Sequence, residues 1–99
     1  MPYFVVINEQ GPAWDPSRSM RDQAKWAEHA TFMNGLLADG VVILGGPIHG
    51  GPTHRARLIV KSPSRESMTA RLAEDPWMQL GLLRTVSVEE WDVLLSKDD

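Results

Sequence analysis

The sequence predicts a single small α+β domain with the element order β-α-β-β-α-β. Three observations carry this. Four β-branched or apolar runs stand at 3–7, 41–46, 56–62 and 83–95. Stretches of helical period separate the first run from the second and the third from the fourth. Ninety-nine residues are enough for one domain and too few for two.

Each element follows from local chemistry. "YFVVI" (3–7) is apolar on both faces and reads as a strand, ended by Asn8 and the loop "EQGPAWDPSRS". A helix is predicted from about Met20 to Ala38, capped by Ser19 or Ser17 and stopped by "DG" at 39–40. "VVILGG" (41–46) is the second strand, and "GGPIHGGPTH" (45–54) is rich enough in Gly and Pro to read as a loop. "ARLIVKS" (56–62) is the third strand. "SPSRESMTARLAED" follows as a shorter helix, with Ser62 or Ser64 as cap and Met68, Leu72 and Ala73 as its apolar face. Asp75 ends that helix, and Pro76 opposes its continuation. "LRTVSVEEWDVLL" closes the chain as a long strand. Its alternation changes phase, which reads as a β-bulge or bend near Glu89–Glu90. The order is the split-βαβ, ferredoxin-like pattern: a four-stranded antiparallel sheet with two helices on one face.

Two helices cover one sheet face. The other face is also apolar in strand 1 and in "VVIL", and a bare face of that size exceeds what soluble monomers tolerate. The expectation is a homodimer, packed through the open sheet face.

Composition excludes several classes. A net charge of −3 with scattered arginines lacks the concentrated basic surface that nucleic acid requires. The absence of cysteine removes disulfide and thiolate chemistry. "MPYFVVINEQ" has no basic n-region and only a five-residue apolar run, so it reads as neither signal peptide nor membrane span, and a cytoplasmic location is expected. The four tryptophans, at 14, 26, 77 and 91, are candidates for core, interface or pocket wall.

His29 is the anomaly. At about 100° per residue, Trp26, Ala30, Met33, Leu36 and Leu37 form one apolar stripe, and His29 falls inside it. A ring on a buried face needs a partner, because an unpaired buried polar group costs roughly 1–3 kcal/mol. Both helices lie on one side of the sheet, so Asp75 can approach the inner face of the first helix. A His29–Asp75 pair would fix the ring's tautomer, as a general base requires. Asp22 is the rival partner, two turns earlier at roughly 10 Å of rise. Trp77 and the Gly-rich loop after the second strand would wall the cavity. The plainer reading keeps Asp-Pro as a stop signal and His29 as a satisfied core residue.

The segments "EHATFMNGLLADGVVILGGPI", "ARLIVKS" and "LAEDPW", followed by a terminal strand, resemble the YCII-related family, small proteins of the dimeric α+β barrel type. The resemblance runs from Tyr3 to Leu95. Its markers are the first-helix histidine, the "G-P" after the second strand and the "D-P-aromatic" after the second helix. It implies His29 and Asp75 as an active-site pair, with Gly46 and Pro47 shaping the pocket. Some relatives act as lyases or dehydrochlorinases on ring-hydroxylated aromatics. "GPAWDPSRSMRDQAKW" and "GGPIHGGPTHRA" are longer than in the shortest members and would sit over or beside the pocket.

Neither the residues nor the resemblance calls for a cofactor. His49, His54 and His29 could join Glu28 or Asp75 around a metal only with a geometry that the flexible "HGGPTH" spacing does not preorganise, so no metal is expected. His49, at the hairpin tip, reads as a substrate contact or as a solvated loop residue; Trp26 reads as pocket wall or core. Asp15 in "WDP" reads as a turn former, with Trp14 beside it as part of a lid.

Two functions fit. One is a small cofactor-independent enzyme, in which His29 abstracts a proton from a ring-hydroxylated or enolisable substrate for elimination or isomerisation. The other is a non-catalytic dimeric module that binds a small ligand or serves another protein.

Overall fold

A computed structural model describes residues 1–97 of the chain. Its elements are β1 (Tyr3–Gln10), α1 (Trp26–Ala38), β2 (Val42–Ile48), β3 (Arg55–Lys61), α2 (Arg65–Leu72), the short α3 (Pro76–Gln79) and β4 (Leu83–Trp91). The strands form one antiparallel sheet in the order β2-β3-β1-β4, as the ferredoxin-like pattern requires. The helices pack on one face.

Period-two alternation sorts β1 cleanly. Phe4, Val6 and Asn8 are buried toward the helices, whereas Tyr3, Val5 and Ile7 face the other way. Cross-strand register then builds rows across the helix-facing side. Val42, Val60, Phe4 and Glu90 form one row, and Gly45, Leu58, Val6 and Val88 the next. Beyond them runs a row of smaller or polar residues: Pro47, Ala56, Asn8 and Thr85. Leu36, Met68 and Leu72 from α1 and α2 complete a core over the first two rows. Trp77, Leu82 and Leu83 form a second cluster, with Trp14, Met20, Trp26 and Met78 against it. The row of small residues lies at the seam between the clusters and leaves space there.

Several boundaries differ from the sequence reading. The first helix begins at Trp26, not Met20, because Lys25 adopts a left-handed φ of 61° and breaks the path; Met20–Asp22 is a separate 3₁₀ turn. Neither proposed serine caps α1. Ser19 Oγ donates to Asp22 Oδ2, and Ser17 is drawn into a turn on Asp15. β1 continues through Asn8 to Gln10. β2 runs on through "GGPI" to Ile48, which is possible because β2 is an edge strand where proline's missing N–H costs no ladder bond. The β4 bulge lies at Val86, where register shifts opposite Ile7 and Asn8, rather than at Glu89–Glu90. β4 ends at Trp91, which pairs with Tyr3 at the start of β1, and Leu94 and Leu95 are exposed. Ser64 caps α2, accepting from Ser67 N–H at 3.0 Å. Asp75 does not end α2. It starts α3 as the N-cap, and Pro76 takes the first helical position that proline favours.

No helix among the described residues is long and apolar enough to cross a membrane.

Candidate active site

His29 stands in the first turns of α1, and Asp75 stands at the head of α3. The fold brings them together across 46 positions of chain. Nδ1 of His29 lies 2.9 Å from both Oδ1 and Oδ2 of Asp75. Asp75 is 3% exposed, and its Oδ1 also accepts from Trp77 N–H at 2.9 Å. An ionised carboxylate is acceptor-only, so it holds the hydrogen of a neutral imidazole on Nδ1. Nε2 is then an acceptor. It bonds to no described residue and opens on the cavity that His29 lines. Asp22, the rival partner, belongs instead to the 3₁₀ turn, where it accepts from Ser19 and does not reach the ring.

Trp77 supplies the plane against which the histidine is held. Its ring stacks on His29 with centroids 3.9 Å apart and planes 5° from parallel. Its Nε1–H donates to the Ala24 carbonyl at 2.7 Å, tying α3 to the segment before α1. Trp26 sits one turn before His29, its ring centroid 5.8 Å away. Trp14 meets Trp77 edge-on and stacks on His54 at 4.3 Å.

A cavity of about 250 Å³ opens beside these rings. Trp26, Met33 and Trp77 line it from the helical layer, and Val42, Leu58 and Leu83 from the sheet; Gly46 and Pro47 of β2 lie at its rim. The lining is mostly apolar, with His29, His54, Asn8 and Asn34 as its polar groups. This composition suits a small flat organic molecule. Burial, and then repulsion from His29 when that ring is protonated, holds the half-buried His54 below the ordinary histidine value of 6.5.

The loop between β1 and α1 is a built structure. The buried Gln23 side chain accepts from Asp15 N–H at 2.9 Å and donates to the carbonyls of Asp15 and Arg18 at 2.7 and 3.1 Å. Asp15 Oδ1 accepts from the Ser17 hydroxyl and N–H. Those two bonds, helped by Arg18, hold its carboxyl below the usual carboxylate range. Asp15 thus forms the turn its sequence suggests, and Trp14 beside it backs the site through His54 and Trp77.

Of the residues singled out from sequence, the structure gathers His29, Asp75, Trp26, Trp77, Gly46 and Pro47 in one place. It leaves His49 exposed and away from the cavity wall. Among the described residues no group of three or more His, Cys, Asp or Glu side chains is placed to hold a metal. Sequence reasoning missed the polar wall residues Asn8, Asn34 and His54. Asn8 reads there as a strand terminator and His54 only as a metal ligand. A signal for Asn8 existed: it continues the Phe4–Val6 alternation as a polar residue at a core position.

The backbone matches 5-chloro-2-hydroxyhydroquinone dehydrochlorinase (TftG) from Burkholderia phenoliruptrix AC1100, in a complex with 2,5-dihydroxybenzoquinone. The TM-score is 0.69 and the identity 23%, over 91% of this chain and 93% of that one. At that identity the likeness establishes fold. No curated protein matches the chain in sequence. The YCII-related domain matches residues 1–92, nearly the whole chain, so with its βαββαβ fold this protein belongs to the YCII-related family.

Proposed function

We propose that the protein is a small enzyme that abstracts a proton from a ring-hydroxylated or enolisable substrate and completes an elimination or isomerisation without a cofactor. One observation carries the reading: an imidazole is clamped through Nδ1 by a buried carboxylate, and its Nε2 is left to an apolar cavity. Nε2 takes the proton from a substrate O–H or acidic C–H. The electron pair left behind moves into the conjugated framework, where it expels a leaving group or is reprotonated at another atom. Asp75 stabilises the imidazolium while it lasts, and Trp26 offers an apolar surface to a ring. The dehydrochlorinase of like fold supports the substrate class.

A second reading has its own observation. Asp75 also caps α3, so the pair staples α1 to α3 and would be present in a non-catalytic ligand-binding module. Chloride release from chlorinated hydroxyhydroquinones, with ketonisation of enols followed by absorbance, separates the two. The enzyme reading expects turnover that falls about 10²–10⁴-fold in His29→Ala with the fold retained. Wild-type rates no faster than buffer across both substrate sets sink it.

The same reading includes a homodimer. The face opposite the helices carries Val5, Ile7, Ile59, Leu44 and Trp91, with Leu44 62% and Trp91 45% exposed. A second copy packed sheet against sheet covers this apolar area.

A further inference from the structure

Asn8 is a polar residue in a place that packing alone gives to a valine. It lies on the helix-facing side of β1, two residues beyond the fully buried Val6, and is 4% exposed. The Thr85 hydroxyl donates to its Oδ1 at 2.8 Å, which fixes the carboxamide with Nδ2 as the remaining polar atom. Nδ2 makes no hydrogen bond to a described residue, and no fully buried side-chain N or O among those residues lacks a partner. Nδ2 therefore opens on the cavity that Asn8 lines. With Oδ1 held by Thr85, this N–H is a fixed donor presented to whatever occupies the cavity. The other carboxamide of the lining, Asn34, is exposed, whereas that of Asn8 is buried and oriented by Thr85.

We infer that Asn8 is a substrate-binding residue whose Nδ2–H donates to a carbonyl or oxyanion oxygen of the ligand, from the sheet side of the cavity. This rests on the proposed function and narrows its substrate. His29 reaches the cavity from the helical layer with an acceptor, Nε2, and Asn8 reaches it from the sheet with a donor. The ligand that satisfies both is a small flat conjugated molecule carrying a hydroxyl and a separate acceptor oxygen, as in a hydroxyquinone or hydroxyenone. When the O–H bond breaks, its proton passes to Nε2. The electron pair spreads through the conjugated system, and negative charge grows on the second oxygen. The Asn8 N–H bond strengthens at that moment, as a preorganised oxyanion donor does. Thr85 is a positioning residue that acts through Asn8.

The test is calorimetric titration with 2,5-dihydroxybenzoquinone, which carries hydroxyl and carbonyl oxygens, and with phenol, which carries one oxygen. The proteins are wild type, Asn8→Leu, Asn8→Asp and Thr85→Val, each checked by thermal melting. Asn8→Asp keeps the shape and replaces the donor by an acceptor, so it serves if Asn8→Leu does not fold. The expected result is a loss of about 10- to 100-fold in dihydroxybenzoquinone affinity for either Asn8 variant and about 3- to 10-fold for Thr85→Val, with phenol affinity within twofold of wild type. Equal affinity for dihydroxybenzoquinone in wild type and Asn8→Asp overturns the role of Asn8 alone. So does an equal loss for both probes, which would assign the effect to cavity shape. Wild type that binds neither probe overturns the proposed substrate class and this inference together.

Discussion

Replacing Asp75 by asparagine separates the charge of the pair from its shape. The aspartate accepts from the Trp77 N–H and from His29 Nδ1–H, all at 2.9 Å and out of water. Hydrogen bonds to a charged group contribute about 1.5–3 kcal/mol and neutral ones about 0.5–1.5 kcal/mol. In the variant the amide oxygen still accepts from Trp77, and the amide nitrogen can donate to Nδ1. Two charge-assisted bonds become two neutral ones, at about 1 kcal/mol each. The expected loss is about 2 kcal/mol, or roughly 8–16 °C in Tm for a domain of this length. The larger consequence is chemical. With Nδ1 now accepting, the ring hydrogen moves to Nε2, and the atom facing the cavity changes from acceptor to donor. Abstraction should fall about 10²–10⁴-fold although the site keeps its shape. Nitrogen-15 spectra of the ring in alkaline buffer read the tautomer directly, and melting by circular dichroism reads the stability. Wild-type protein with its ring hydrogen on Nε2, or one tautomer shared by both proteins, refutes the reasoning.

Five further substitutions probe other parts of the fold. Trp77→Phe removes the 2.7 Å bond to the Ala24 carbonyl and part of a fully buried ring, and should cost about 2–4 kcal/mol in urea unfolding. In Gly11→Ala the new Cβ would stand 2.2 Å from the Gly81 carbonyl oxygen, so the β1–α1 loop must shift, at about 1–3 kcal/mol; at Gly46 a methyl meets nothing within 4 Å, and Gly46→Ala should leave the urea midpoint unchanged. His54 has a folded pKa below its ordinary 6.5, so between the two values the unfolded chain binds more protons. Stability is then complete above about pH 6.5 and declines as pH falls below it, and His54→Gln should flatten that part of a urea-midpoint profile between pH 5 and 8. Leu44→Lys sets a charge in the apolar sheet face and should yield monomers in sedimentation, whereas an unchanged sedimentation coefficient contradicts dimerisation through this face.

The order and type of the main elements are legible in the sequence, because strand and helix signals are local. "YFVVI" and "ARLIVKS" have no reason to be anything but strands, and Ser64 caps α2 through a bond three residues long. It also marked His29, since a titratable ring inside an apolar helical stripe is visible without coordinates. Junctions were harder to read. Nothing near Lys25 announces a left-handed residue, and "GGPI" reads as a loop until β2 proves to be an edge strand. Asp-Pro signals equally a helix that ends and one that begins. Three contacts became visible only once the elements were packed: Asp75 meets Nδ1 of His29 while capping α3, Trp77 lies flat against the imidazole, and the Thr85 hydroxyl bonds Asn8 Oδ1. These contacts join residues 46, 48 and 77 positions apart in the chain. Their geometry comes from sheet register and from the row of Pro47, Ala56, Asn8 and Thr85 at the seam of two clusters. A local pattern can place a side chain on a face, but what it meets there depends on the packing of every other element.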